Sequence, residues 1–358
     1  MKICVTGSFG GGDIGDDAMV FPHLSNLACL GVSREDVWLI GFQPDYMARH
    51  FSHPHRLCLS CDAHVAKEVL DSTDLLLVTG GGTINTRAQD GWSLRRMYRL
   101  VMAFVKHGTP VFMSGQTIGP LGVEPDHDAL AKELVESVDI LTVRDMLYSR
   151  KYLEKIGAQP KQLAETVDDA TLISPDDRPL PIELPEGKRA AINVTVYTFD
   201  TPEKVEAIKT LCHRLACMGY NVLLVPHHPW DHEAMMSLRV PNTQLIDTTS
   251  WLGITTKRLF AECDLVIAGR YHAVVFAMTA GVPCVGMAGN HYSWIKQHGF
   301  ADQLGVGDRI VPPDKVTDVD NILELAMRSM KSSVSYVIPE PSSFHLFRKW
   351  FKEKTCSS

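Results

Sequence analysis

The chain has 358 residues, 45% hydrophobic and 22% charged, which excludes a disulfide-stapled miniprotein, a fibrous chain and a disordered one, and is long enough for two domains with cores of their own. Its 35 basic and 42 acidic residues give a net charge of −7 with Lys and Arg scattered, which argues against broad phosphate-backbone contact with nucleic acid, so any bound anion must be held locally. Nine dispersed cysteines, and an N-terminal Lys2-Ile3-Cys4-Val5 that begins as a buried strand and not as a secretory leader, point to a reducing, cytoplasmic setting.

In chain order, short continuous apolar runs alternate with longer amphipathic ones, the pattern of βαβ units whose parallel sheet is covered on both faces. The runs Ile3–Thr6, Val37–Ile40, Leu75–Val78, Val111–Ser114 and Ile140–Val143 predict the strands of a first domain, residues 1–178. Residues 174–187, with four prolines in fourteen positions, read as a connector. The alternation resumes in a second domain, residues 188–340, with strands expected at Ala190–Val196, Val222–Val225, Leu265–Ala268 and Cys284–Met287. Helices are expected there at Pro202–Met218, Thr255–Cys263 and Tyr271–Ala280, and a last one, around Phe344–Phe351 in residues 341–358, is expected to pack across the domains. The uncharged run Tyr271–Tyr292 has the length of a membrane span, but Gly281, Pro283, Gly286, Gly289 and two histidines make it a buried helix followed by a buried strand. The fold class is α/β, two doubly wound Rossmann-like domains facing a cleft, with ligands at the carboxyl ends of strands.

Candidate chemistry gathers at those strand ends. Gly10, Gly12 and Gly15 match the G-x-G-x-x-G spacing after the first strand, yet Asp13, Asp16 and Asp17 place carboxylates where a pyrophosphate would meet a helix start, near Ala18. Asp17 suits a capping role, whereas Asp16 suits hydrogen bonding to, or deprotonation of, an acceptor hydroxyl, and Asp13 joins it on the acceptor side. Gly80-Gly81-Gly82-Thr83 form either a backbone-lined ligand edge, through Gly81, Gly82 and Thr83, or a tight turn. Gln116 is the extended polar side chain of a third strand end, Ser114–Pro120, and the polar loop 86–92 is a candidate lid. In the second half, Arg270 and His272 stand between a strand end and a helix N-terminus, where a fixed charge, a titratable imidazole and backbone donors surround a small anion. His227 and His228, with Asp231 and His232, concentrate polar groups after another strand. Two prolines disturb ligand spacing there, so hydrogen bonding to substrate is expected and a metal is not. Cys58-x-x-Cys61 lacks a second pair and is read as packing.

Together these residues resemble the polysaccharide pyruvyl transferase family. The matching features are Gly12-Asp13-Ile14-Gly15-Asp16-Asp17-Ala18, Gly80-Gly81-Gly82-Thr83, Ser114-Gly115-Gln116-Thr117-Ile118-Gly119-Pro120, and Thr142-Val143-Arg144-Asp145 followed by Ser149 and Gly157. Asp264, Arg270-Tyr271-His272 and Ala280-Gly281-Val282-Pro283 continue the series in the family's order. The resemblance implies a fold similar to the B-type glycosyltransferases and transfer of pyruvate from phosphoenolpyruvate to two hydroxyls of a sugar or glycan, free or lipid-linked, as a cyclic ketal. It implies donor binding and catalysis by Arg270 and His272; the chemistry of such a transfer suits Asp16 as the group that takes a hydroxyl proton and needs no redox cofactor, and the residues offer no metal cage. Family members often carry a further Arg where this chain reads Ile192-Asn193-Val194-Thr195-Val196-Tyr197; Asn193, Thr195, His227 and His228 are expected to supply neutral hydrogen bonds on the donor side instead.

A nucleotide-sugar-dependent glycosyltransferase on the same scaffold, and a non-catalytic sugar- or anion-binding relative, are the alternative readings. Saturable binding of a nucleoside diphosphate distinguishes the first, and indifference to loss of His272 the second. The acceptor's identity and the oligomeric state are not written in these residues.

Overall fold

A computed structural model describes the chain except for residues 54, 59–64, 87–91, 175–178, 197, 199, 239, 242, 332–341 and 357–358, together with the side chains of 55–58, 92 and 356. The expected Cys58-x-x-Cys61 packing and most of the expected lid therefore lie outside the described residues. The chain forms two compact units: an N-terminal one of Met1–Gly11, Met19–Asp169 and Pro339–Ser358, and a C-terminal one of Gly12–Ala18 and Ala170–Ile338.

Among the described residues the N-terminal unit carries eight parallel strands: β1 (Ile3–Thr6), β2 (Val37–Gly41), β3 (His55–Cys58), β4 (Leu75–Val78), β5 (Gly81–Ile84), β6 (Val111–Ile118), β7 (Ile140–Val143) and β8 (Leu163–Glu165). They are ordered β3-β2-β1-β4-β6-β7-β8, with β5 paired to β6. Alternation sorts their side chains: Leu75 and Leu77 enter one core with Ile3, Val5, Leu39 and Phe112, while Leu76 and Val78 enter the other with Cys4, Ile40, Met113 and Leu141. The helix Ser342–Cys356 closes the first face with Phe347, Trp350 and Phe351, and Phe347 meets Phe112 edge-on with ring centroids 5.2 Å apart. The strand expected at Val111–Ser114 runs on to Ile118, because β5 supplies a second partner at Gly81↔Gln116 and Ile84↔Ile118.

Two consecutive carboxylates organise the polar interior of this unit. Asp168 pairs with Arg144, whose Nε also donates to Thr117 at 2.8 Å, with pair side chains 2% and 0% exposed. Asp169 accepts from Gly80 N–H (3.0 Å), His23 Nε2 (2.8 Å), Ser114 Oγ (2.9 Å) and Ser343 Oγ (3.4 Å). A Cβ on Gly80 would stand 2.8 Å from Met19 Sδ and 3.0 Å from Asp169 Oδ2, so glycine is required there by close packing.

The C-terminal unit repeats the plan with β9 (Arg189–Asn193), β10 (Asn221–Leu224), β11 (Thr243–Leu245), β12 (Leu265–Ala268), β13 (Cys284–Met287) and β14 (Ile310–Val311), ordered β11-β10-β9-β12-β13-β14. Strand order reverses between β9 and β12, where Ala268 lies opposite Asn193. The strand expected to reach Val196 stops at Asn193, because Thr195 and Thr198 close a turn through their N–H, carbonyl and hydroxyl groups. Helices Pro202–Cys217, Gly253–Ala261 and Tyr271–Thr279 fall where the sequence places them, and no helix among the described residues is long and apolar enough to cross a membrane.

Arg144→Leu leaves Asp168 buried without its ionic partner and is expected to lower stability by about 3–5 kcal/mol in urea unfolding. Arg150→Ala, which removes an exposed pair with Glu154, is expected to change it by less than about 0.5 kcal/mol.

Candidate functional site

The carboxyl ends of β9 and β12 are neighbours at the reversal of strand order, the place where doubly wound sheets bind ligands. Asn193 joins them. Its carbonyl accepts the Gly269 N–H at 2.6 Å, its Oδ1 accepts the Arg270 N–H at 2.9 Å, and its Nδ2 donates to the Val225 carbonyl, just past β10, at 2.7 Å. The amide is thus committed to main chain. From the helix His291–Gln303, the buried Gln297 donates Nε2 to the Gly269 carbonyl at 2.8 Å. The Gly269–Arg270 peptide is held on both sides, and the helix Tyr271–Thr279 begins immediately after it with His272 in its first turn.

Arg270 offers its fork to two carboxylates. Nε and Nη2 each donate to an Asp231 oxygen at 2.8 Å, and Nη1 donates to Asp13 Oδ2 at 3.3 Å. Asp231, on the first turn of the helix Pro229–Leu238, has no exposed side-chain surface. Burial pushes its carboxyl upward, against the pull of Arg270. For Asp13 burial acts in the same direction but is outweighed by Arg270, then His272 and the two neighbouring histidines, so its carboxyl is held below the usual range.

The segment Gly12–Ala18 packs within the C-terminal unit. Asp13 Oδ1 accepts the N–H groups of Gly15 (3.0 Å) and Asp16 (3.3 Å), and Ile14 N–H donates to the His227 carbonyl at 3.1 Å. The helix expected from Ala18 therefore begins earlier, as a short piece Ile14–Ala18. A Cβ on Gly15 would overlap the His272 ring, and one on Gly253 would stand 2.5 Å from the Ala18 Cβ. Part of the G-x-G-x-x-G spacing thus serves close packing: Gly15 lets Asp16 Oδ1 come to 3.9 Å from His272 Nδ1. Asp17 is almost fully buried.

His227 is 1% exposed, its ring between those of Phe260 (5.6 Å) and Phe276 (5.8 Å). Burial drives its imidazole down to about 3, so it is neutral at physiological pH, and neither ring nitrogen has a hydrogen-bond partner among the described residues. His228, also lowered mainly by burial, accepts the Trp230 N–H on Nδ1 at 3.2 Å.

The structure brings together Asp13, Asp16, Asn193, His227, His228, Arg270 and His272 in the C-terminal unit. Gly81, Gly82, Thr83 and Gln116 form a separate group in the N-terminal unit, where Gly81–Thr83 belong to β5 and are not a loop. Gln116 lies within β6, fully buried, and its Nε2 donates to the carbonyls of Thr79 (2.8 Å) and Ser114 (2.7 Å). Asp13, Asp16 and His272 each place one ligand-type atom within 4.8 Å of the others, so these three could hold a cation; the run His227–His232 forms no such group among the described residues. Two residues escaped the sequence reading of the site. Asp231 stood only in a cluster, and Gln297 lies on a helix with no motif; one meets the Arg270 guanidinium and the other the Gly269 carbonyl before it, partners that spacing does not reveal.

The family model for polysaccharide pyruvyl transferase matches residues 14–291. No curated protein matches the chain in sequence. Among solved structures, the UDP-GlcNAc 2-epimerase of Methanocaldococcus jannaschii, in complex with UDP-GlcNAc and UDP, aligns with TM-score 0.61 at 10% identity over 99% of this chain and 100% of that one. The UDP-GlcNAc 2-epimerase of Neisseria meningitidis, bound to UDP-GlcNAc, aligns with TM-score 0.58 at 12% identity over 100% of both chains. Identities this low speak to fold alone, a GT-B-like α/β fold. The family match spans most of the chain and takes in both the Ile14–Ala18 segment with Asp16 and Arg270-Tyr271-His272, and the chain belongs to the polysaccharide pyruvyl transferase family.

Proposed function

We propose that this transferase moves pyruvate from phosphoenolpyruvate to two hydroxyls of a sugar or glycan acceptor in the cytoplasm, forming a cyclic ketal. The observation that carries the reading is the Arg270 fork, anchored by two 2.8 Å bonds to buried Asp231 at the β9–β12 strand ends and standing beside the His272–Asp16 pair. The Asp231 side of the fork is saturated. The longer 3.3 Å contact to Asp13 is the side that opens to a carboxylate or phosphate of the donor.

The chemistry then follows from position. His272, as imidazolium, protonates the methylene carbon of the donor and leaves an oxocarbenium-like centre at the neighbouring carbon. A sugar hydroxyl attacks that centre and yields its proton to Asp16; the carbon–oxygen bond to phosphate breaks, and the second hydroxyl closes the ring. One hydroxyl proton replaces the proton His272 delivered and the other leaves with phosphate, so the transfer balances without an oxidant. His227, kept neutral by burial, serves this site as a hydrogen-bonding group and not as a charge.

Calorimetric titration tests the donor. Phosphoenolpyruvate is expected to bind the wild type saturably, Arg270→Lys is expected to bind it weakly because a point charge cannot form the fork, and UDP is expected not to bind; UDP binding without phosphoenolpyruvate binding would overturn the reading. His272→Asn should retain donor binding while kcat falls about 10²–10⁴-fold. Gly15→Ala, which forces the His272 ring aside, should lower kcat by about 10²-fold with the circular dichroism unchanged.

The pH dependence of stability offers a further check. His227 titrates near 3 when folded and near the ordinary imidazole value of 6.5 when unfolded, so the unfolded chain binds the extra proton between those values. Its contribution is complete above 6.5 and is lost as pH falls toward 3. Between pH 7 and pH 5, His227→Phe is expected to lose about 2 kcal/mol less than the wild type in urea unfolding.

A further inference from the structure

We infer that Trp230, backed by His228, is a stacking platform for the pyranose ring of the acceptor. The inference rests on the reading above that the acceptor is a sugar. Among the described residues the exposed large hydrophobic side chains are Met1, Val123, Leu172, Val196, Met218, Trp230 and Met236, and Trp230, at 63%, is the aromatic one. A single exposed hydrophobic residue needs no explanation by itself. This one is fixed in place, and its place adjoins the candidate site.

Trp230 follows Pro229 in the first turn of the helix Pro229–Leu238, whose next residue is Asp231, the buried anchor of Arg270. Its main-chain N–H donates to His228 Nδ1 at 3.2 Å, and its ring lies against the His228 ring with centroids 4.5 Å apart. His228 in turn feels the charges of Asp13, Arg270 and Asp231. The Asp231 N–H donates to the His228 carbonyl at 2.9 Å, so a series of contacts runs from the anion-holding fork through Asp231 and His228 to an indole face in solvent. That arrangement suits a pyranose, whose C–H face packs on an aromatic ring while its hydroxyls find acceptors, here the carboxylates of Asp13 and Asp16. An indole held by a helix turn and a neighbouring ring loses little freedom on binding.

The test uses full-length wild type, Trp230→Phe, Trp230→Ala and Arg270→Ala. Each is applied with phosphoenolpyruvate present to an array of pyranose oligosaccharides, and titrated separately with phosphoenolpyruvate and with UDP. The indole fluorescence of Trp230 is isolated from the other five tryptophans by difference against Trp230→Phe. The expected result is sugar capture that perturbs the Trp230 signal, falls about tenfold in Trp230→Ala and is largely kept in Trp230→Phe, with unchanged phosphoenolpyruvate affinity and thermal stability in both. Equal capture by Trp230→Ala, no capture by the wild type, or a Trp230 signal that answers to UDP and not to sugars would each overturn the platform. Phosphoenolpyruvate binding that depends on Arg270 beside Trp230-independent capture removes the platform and leaves the donor reading. Trp230-dependent capture without phosphoenolpyruvate binding does the reverse.

Discussion

The bidentate bond between Arg270 and Asp231 is the constraint from which the candidate site follows. A carboxylate with no exposed surface is costly unless it is paired and its oxygens satisfied, and the planar fork of arginine meets both requirements at once. That fork reaches Asp231 only if the main chain after β12 is fixed, which explains why Asn193 and Gln297 commit their amides to the Gly269–Arg270 peptide. With two donors directed at Asp231, the third faces Asp13 at a longer distance. The order of bonding thus divides the guanidinium into an anchored edge and a working edge.

The two units use buried charge in contrasting ways. Asp169 receives four donors, from two helices, the turn after β4 and the middle of β6, a saturated arrangement that specifies packing. In the C-terminal unit two acidic side chains, Asp13 and Asp231, share a single guanidinium while a third, Asp16, stands 3.9 Å from His272, and a neutral imidazole, His227, lies beside Phe260 and Phe276 with its nitrogens unmatched among the described residues. A polar network left incomplete by the protein's own groups is the kind that a ligand completes. The absence of arginine from the stretch Ile192–Tyr197 fits this picture: the amide of Asn193 positions the main chain of Arg270 instead of adding a second charge.

Legibility in the sequence tracked burial. Strands covered on both faces, such as Leu75–Val78 and Leu265–Ala268, are continuous apolar runs and were readable to within a residue. Short or edge strands such as β8, β11 and β14, of two or three residues, carry too little pattern to stand out. Glycines mislead in a consistent way, because the same residue marks a turn, a phosphate loop or a close contact. Gly80 and Gly15 prove to be close contacts, which spacing alone does not distinguish from the other uses. Arg270 and His272 were legible because a strand end followed at once by a helix fixes where their side chains can go. Asp231 and Gln297 were not, because their roles depend on partners 39 and 28 residues away in the chain.

The seven residues Gly12–Ala18 leave the strand-and-helix run of the N-terminal unit and pack with the C-terminal one, where they deliver Asp13 and Asp16. Modular inheritance is thereby restricted. A polypeptide starting at Ala170 would retain Arg270, Asp231 and His272 but would have no counterpart for either carboxylate, and a graft of foreign N-terminal sequence would have to reproduce the spacing of Asp13, Gly15 and Asp16 to restore them. Although the chain partitions into two folded bodies, its chemistry behaves as one heritable element, and recombination at the apparent joint near residue 170 would separate groups that must travel together.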